Sequence, residues 1–111
     1  MKIKVGSKNY KVKFKDVIWI GDDIVNGKCD FAITELQVLK EVSRDQARSL
    51  LIHELTHAMI RECGANAFFE NPESEELFVR SYSNMLTQTL RDNPDLLEEL
   101  EDNLMKEIEE E

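Results

Sequence analysis

The chain has 111 residues, of which 41% are apolar and 33% charged, and its formal net charge is −9 at pH 7. This length suits one domain with a modest core, and the apolar fraction predicts a globular fold rather than disorder. The negative charge repels phosphate backbones and attracts basic protein segments, so a protein partner is expected rather than nucleic acid. The sequence contains no apolar run long enough to cross a membrane, so no membrane association is expected.

The N-terminal residues and the two cysteines predict the compartment. Residues 1–5 alternate charged and apolar side chains and lack the apolar core of a signal peptide, which favours a cytoplasmic protein. Cys29 and Cys63 do not have the spacing of a zinc-binding pair, and we interpret them as small buried or half-buried thiols. For Cys63, which closely follows the two histidines, a role as a metal ligand is the alternative.

Alternating side chains predict a small sheet in the N-terminal region, residues 1–42. Residues 2–5 and 10–14 alternate lysine with apolar side chains, and turn residues lie between them. This pattern is typical of a β-hairpin with one apolar and one basic face. A short apolar run at 17–20 follows, and its pattern does not decide between strand and loop.

Two further short strands are expected before the first helix. Turn residues at 21–23 and 26–27 precede segments 28–31 and 35–39, which alternate like strands. Leu36 and Val38 would share one face of the second segment. The composition of residues 36–42 also suits a helix, so that alternative stays open.

A long helix is predicted over residues 43–63. Ser43 followed by Gln46 forms a capping-box signal, and Gly64 is a typical C-terminal stop. The helical period separates two faces. The expected core face carries Leu51, Leu55, Ala58 and Met59, and the other face carries Leu50, His53, His57 and Ile60.

The strongest functional signal is the sequence His53-Glu54-Leu55-Thr56-His57. These are the two histidines of the chain, and residues four apart lie on one helix face about 6 Å apart along the axis. Two imidazoles at this spacing can bind one Zn²⁺ ion. Glu54 points to the side of the pair, where its carboxylate can act as a general base without binding the metal. The pattern therefore predicts a zinc site with its base on one helix.

A second helix, residues 72–92, is expected after a loop that carries Phe68 and Phe69. These two aromatic residues either pack beside the core or form a wall of a substrate cleft. Asn71-Pro72 or Ser74 begins the helix. Its expected apolar stripe contains Phe78, Val79, Tyr82, Met85, Leu86, Thr89 and Leu90.

This helix must also supply the third zinc ligand, since catalytic zinc usually has three protein ligands and the chain has no third histidine. Glu73, Glu75 and Glu76 cluster at its start. Periodicity slightly favours Glu75, which lies nearest the centre of the stripe.

A last helix is predicted over residues 94–109. Its leucines recur at helical spacing and its remaining positions are mostly acidic, as on a solvated helix face. The leucine stripe either packs on the domain or dimerises, so the protein is expected to be a monomer or a homodimer through this helix.

The motifs together resemble the small zincin-like proteins of phages and mobile elements, which are similar to ImmA/IrrE-type metallopeptidases and, in compactness, to minigluzincins. The resemblance rests on the residues 53–58, on Glu76-Leu77-Phe78-Val79, on residues 84–86 and 91–94, and on Gly27-Lys28-Cys29-Asp30-Phe31, and it spans roughly residues 2–95. The family often has glycine where Met85 stands. The resemblance implies that Glu76 is the third ligand and that the chain is a zinc-dependent endopeptidase of the gluzincin type, a class whose relatives cut or inactivate DNA-binding repressors.

The sequence thus predicts an α+β protein with a minimal zincin-like fold in one domain, residues 1–111. A small antiparallel or mixed sheet should precede the His-Glu-x-x-His helix, a Glu-bearing helix and an acidic C-terminal helix. Metal ligands are expected at His53, His57 and Glu76, with Glu54 as the catalytic base. The substrate would be an extended peptide held at a strand edge. The alternative function is a non-catalytic zinc-binding module that binds a protein partner.

Overall fold

A mixed four-stranded sheet forms the N-terminal part of the computed structural model, which describes residues 1–110. Its central strands are parallel to each other, and each outer strand is antiparallel to its neighbour. A separate two-stranded hairpin interrupts the sequence between the second strand and the fifth. The sheet order is β1 (Lys2–Val5), β2 (Lys8–Lys15), β6 (Glu35–Leu39), β5 (Gly27–Asp30), and the hairpin is β3 (Ile18–Ile20) with β4 (Asp23–Val25).

The first hairpin has the two faces that its alternation predicts. Gly6 adopts a φ of 62°, a conformation that favours glycine, and it turns the chain between β1 and β2. Tyr10 and Val12 are buried, and Lys11 and Lys13 are exposed, but the apolar face ends before Phe14, which is 54% exposed. The two later strands are also confirmed, which makes the helical alternative for residues 36–42 wrong. The expected turn at 26–27 is wrong at Gly27, which begins β5.

Three helical regions follow the sheet and confirm the α+β class, with 54% of the residues helical and 25% in strands. The Ser43 hydroxyl accepts a hydrogen bond from the Gln46 N–H, and Asn71 forms a reciprocal capping box with Ser74. No helix within residues 1–110 is long and apolar enough to cross a membrane. The three regions are α1 (Arg44–Glu62), α2 (Pro72–Asp92), and a last region of α3 (Leu96–Glu98), a π-helical stretch (Glu99–Asn103) and α4 (Leu104–Glu110). A 3-10 turn (Ala65–Phe68) lies between α1 and α2.

Helix α1 lies between the sheet and α2, so it is covered on two sides. Ala58 joins Tyr10 and Leu36 in the core against the sheet. The prediction of a single core face is wrong at Met59, which is 38% exposed, and Ile60 is buried although it was assigned to the histidine face. The physical reason is that two covered sides spread the buried positions around the helix instead of aligning them in one stripe.

The apolar stripe expected on α2 is also partly wrong. Val79, Ser83 and Thr87, four residues apart, are the buried positions. Tyr82 and Met85 are exposed, and the Phe78 ring stacks on the Tyr82 ring at the surface. Periodicity selected the largest side chains, but the face that meets α1 carries small and hydroxyl-bearing residues.

The last helical region leaves its apolar stripe in solvent. It begins at Leu96 rather than at residue 94, and a π-helical stretch interrupts it. The prediction that this stripe packs on the domain is therefore wrong for the described chain, and dimerisation stays a prediction. The exposed residues of the stripe are Leu97, Leu100, Leu104, Met105 and Ile108.

A matched pair of leucines tests this packing. Leu36 is 0% exposed and Leu100 is 51% exposed. Leu36→Ala leaves a cavity and should lower the free energy of unfolding by about 2–5 kcal/mol, whereas Leu100→Ala should change it by less than about 0.5 kcal/mol. Urea unfolding followed by circular dichroism measures both values. Equal losses would mean that the last helix packs on the domain.

Candidate metal centre

The two histidines of α1 converge on one carboxylate of α2. Their ring centroids lie 5.2 Å apart. His53 Nε2 lies 2.9 Å from Glu76 Oε1, and His57 Nε2 lies 2.8 Å from Glu76 Oε2. One ligand atom from each of the three residues lies within 4.8 Å of the others, so the group has the size of a site for one metal ion. The structure thus brings together His53, His57 and Glu76.

Each imidazole also has a polar neighbour at its other nitrogen. Glu75 Oε2 lies 2.8 Å from His57 Nδ1, and Ser83 Oγ lies 3.5 Å from His53 Nδ1. Such outer contacts fix the ring orientation of metal-binding histidines and select the tautomer that leaves Nε2 free. The structure therefore gives Glu75 and Glu76 different positions, which periodicity could not do. Glu76 faces the Nε2 atoms of both histidines, and Glu75 contacts the other ring nitrogen of His57, Nδ1.

The chemistry of this donor set fits a cation. Both nitrogens of His57 face carboxylate oxygens, yet a neutral imidazole has only one N–H to donate. A metal ion held by this group would take the place of the second proton. Two imidazole nitrogens and one carboxylate form a ligand set that suits catalytic Zn²⁺ and leaves a further coordination position open.

Burial favours the neutral imidazole at His53. Desolvation lowers the pKa of His53, although the Glu76 carboxylate acts in the opposite direction. A neutral ring is the form that binds metal ions, so the surroundings of His53 suit a ligand.

The Glu54 carboxylate lies against strand β5. Glu54 is only 7% exposed, and this burial raises the pKa of its carboxyl to about 7. Gly27 makes room for it, because a Cβ added at Gly27 would lie 2.8 Å from Glu54 Oε2. The sequence motif predicts Glu54 beside the histidine pair, but the need for a residue without a side chain at position 27 is visible only in the structure.

A cleft of about 590 Å³ opens over this cluster. Gly27, Lys28 and Cys29 of β5 form one wall, and β5 is the outer strand of the sheet on that side. Periodicity placed Leu50 on the histidine face of α1 but did not identify the apolar wall residues that lie outside this helix, because they come from separate strands and turns. These residues are Ile20, Val25 and Phe31.

The two phenylalanines of the loop lie outside the cleft walls. Phe68 is 88% exposed, and Phe69 packs with its ring centroid 5.5 Å from that of Phe78. Phe69 instead lines a neighbouring cavity of about 340 Å³, which shares Phe31, Pro72 and Glu75 with the cleft. Packing beside the core is the better description of Phe69 and does not apply to Phe68.

The cysteines have different surroundings. Cys29 is half-buried in the cleft wall, and burial raises the pKa of its thiol to about 12, which keeps it protonated at neutral pH. Cys63 is exposed, so the expectation of a buried or half-buried thiol is wrong there, because the residue lies at the C-terminal cap of α1. Cys63 does not belong to the His53–His57–Glu76 group.

Comparison with known proteins gives no relative: no family model, no curated protein and no solved structure matches this chain.

The contact between Gly27 and Glu54 generates a prediction about stability. Gly27→Ala places a methyl group against Glu54 Oε2 and 3.4 Å from the Gln37 carbonyl oxygen. The overpacked variant should lose about 1–3 kcal/mol of unfolding free energy. In a Glu54→Ala background the same change should cost less, because the clashing carboxylate is gone. Thermal and urea unfolding of the four proteins give the coupling energy, and an equal cost in both backgrounds would contradict the close contact.

Proposed function

We propose that the protein is a zinc-dependent endopeptidase of the gluzincin type. The observation that carries this proposal is the convergence of His53 Nε2 and His57 Nε2 on the Glu76 carboxylate, at 2.9 and 2.8 Å. A buried carboxylate, Glu54, lies beside them in a cleft walled by an edge strand. Together these features supply a metal site, a base and a place for a peptide.

The proposed ligands are His53, His57 and Glu76, with Glu75 and Ser83 orienting the two imidazoles. Zinc, when bound, supplies Lewis acidity that polarises a peptide carbonyl and makes water acidic enough to lose a proton near neutral pH. The chain provides the rest: α1 presents both imidazoles from one rigid face, and α2 brings the carboxylate to them.

Glu54 is the proposed general base and acid. Its carboxylate would accept a proton from the attacking water and return it to the amine that leaves when the peptide bond breaks. Position supports this role, because Glu54 is adjacent to His53 in sequence and lines the same cleft without joining the ligand group. The metal and the base are therefore separate groups.

The proposed substrate is an extended segment of a protein. Strand β5 forms the edge of the sheet and a wall of the cleft, so a peptide can pair with its main chain. The resemblance to metallopeptidases of phages and mobile elements suggests a regulatory protein such as a repressor. The net charge of −9 favours basic segments through long-range attraction. Two free thiols suit a reducing compartment such as the cytoplasm.

A second function is favoured by the last helical region. Its exposed apolar stripe is flanked by acidic residues, as on a surface that binds a protein partner. In this alternative the zinc site is structural and the protein is a non-catalytic interaction module. Such a module needs no base, so substitution of Glu54 separates the two functions.

Metal content tests the ligand set. Wild-type protein should contain about one zinc per chain, and His53→Ala, His57→Ala and Glu76→Gln should lose it, because each removes one of three ligands. Glu75→Gln should still bind zinc, with an affinity lower by about 10–100-fold. Elemental analysis of the purified variants measures this, and retained zinc in Glu76→Gln with loss in Glu75→Gln would reverse the roles of the two glutamates.

Thermal unfolding gives an independent control for the same ligands. Zinc binds the folded chain, so at about 100 times its dissociation constant it should add about 2.7 kcal/mol of stability. A chelator should lower the melting temperature of the wild type and leave His53→Ala unchanged. If both proteins melt together with and without chelator, there is no metal site.

Peptide cleavage tests the role of Glu54. Glu54→Gln keeps the shape of the side chain but removes its basicity, so the variant should bind zinc and lose about 10²–10⁴-fold in turnover. Glu98→Gln, in the last helical region, is the matched control and should cleave like the wild type. An unbiased peptide library at equal zinc occupancy supplies the substrates. Equal cleavage by wild type and Glu54→Gln would contradict the mechanism, and no cleavage by either favours the interaction module.

A further inference from the structure

A polar seam runs along the contact between α1 and α2. On α1, Asp45, Ser49, His53 and His57 recur every four residues and therefore share one face. The histidines meet Glu75, Glu76 and Ser83, and the chain of α2 then continues away from the metal centre towards Thr87 and Arg91. The two helices are thus antiparallel, and their far ends meet where α1 begins and α2 ends.

At that end the seam opens into a cavity of about 250 Å³, outside the cleft described above. All of its lining side chains are polar, and two of the five arginines of the chain are among them. The lining residues are Asp45, Arg48, Ser49, Asn84, Thr87, Gln88 and Arg91.

The two arginines of this cavity make no ion pair with any residue in the described part of the chain. Within residues 1–110, no carboxylate oxygen lies within 4.0 Å of a guanidinium nitrogen of Arg48 or Arg91. Both arginine side chains are exposed, so their guanidinium groups are accessible to an oxyanion from solution. Guanidinium groups bind oxyanions through paired N–H donors and with defined geometry.

The local charge of the cavity supports the same conclusion. Asp45 is the one carboxylate in the lining, against the two arginines, so the lining carries a net positive charge although the whole chain is acidic. The N-terminal end of α1 and the C-terminal end of α2 meet here, and their helix dipoles have opposite sign and largely offset each other. The arginine side chains therefore decide the sign of the potential.

We propose that this cavity binds a small tetrahedral oxyanion, phosphate or the phosphate group of a small metabolite. Arg48 and Arg91 provide the charged donors. The Ser49 hydroxyl and the amides of Asn84 and Gln88 provide neutral donors around them. The Thr87 hydroxyl is already used, since it donates to the Ser83 carbonyl oxygen. This inference does not depend on the proposed peptidase activity.

Calorimetric titration of the purified protein with inorganic phosphate, at an ionic strength fixed with potassium chloride, tests the proposal. Arg48→Ala and Arg91→Ala should each weaken binding at least about tenfold, because each removes a charged donor. Asp45→Asn should strengthen binding, because it removes the opposing carboxylate. Arg44→Ala is the matched control: it removes the same charge at the same end of α1 from outside the cavity lining and should change affinity less than about twofold.

The outcomes separate cleanly. The proposal is overturned if the wild type binds no phosphate. It is also overturned if the wild type, Arg48→Ala and Arg91→Ala bind phosphate equally, since the anion would then lie elsewhere, for example at the metal. If an alanine variant loses binding and also melts at a lower temperature, the lysine variants distinguish a lost donor from a destabilised fold. Arg48→Lys and Arg91→Lys keep the charge and should retain part of the affinity. A parallel titration with glycerol phosphate identifies the source: tighter binding than inorganic phosphate indicates a phosphorylated metabolite, and weaker binding indicates the free ion.

Discussion

The shared carboxylate of Glu76 is the interaction on which the arrangement of the helices depends. Its two oxygens face Nε2 of His53 and Nε2 of His57, so it joins two turns of α1 to the first part of α2. This contact fixes the register of the two antiparallel helices. The two imidazoles are partly buried there, and desolvating ionisable groups is costly unless charge and hydrogen bonds are balanced. The proposed metal ion gives that balance, which links the function of the site to the stability of the fold.

The second constraint is the space between α1 and the sheet. Glu54 fills the gap opposite Gly27, and the same strand, β5, forms the wall along which we propose that the substrate binds. The base is therefore held by the element that would position the peptide. Because α1 is covered by the sheet on one side and by α2 on the other, one helix presents the proposed ligands to α2 and the proposed base to the sheet.

Much of this could be predicted from local sequence signals. The alternation of β1 and β2, the Ser43 cap and the spacing of His53 and His57 each depend on a few neighbouring residues, and the structure has these elements where they were expected. The face of α2 was only partly predicted: Val79 belonged to the expected stripe, but Ser83 and Thr87 are buried by contact with α1 rather than by their hydrophobicity. The choice between Glu75 and Glu76 likewise depends on the position of the other helix, which periodicity does not contain. The cleft walls and the arginine cavity combine residues from separate elements and need the tertiary structure.

Zinc K-edge X-ray absorption of the purified wild-type protein tests the central claim most directly, because it reports the presence, the ligand type and the bond lengths of the metal together. The account predicts about one zinc per chain, with imidazole nitrogen and carboxylate oxygen ligands at about 2.0–2.2 Å and no sulfur. A spectrum with a zinc–sulfur distance of about 2.3 Å would place the metal at a cysteine instead. Protein that binds no zinc at all, even after incubation with zinc, would contradict the account.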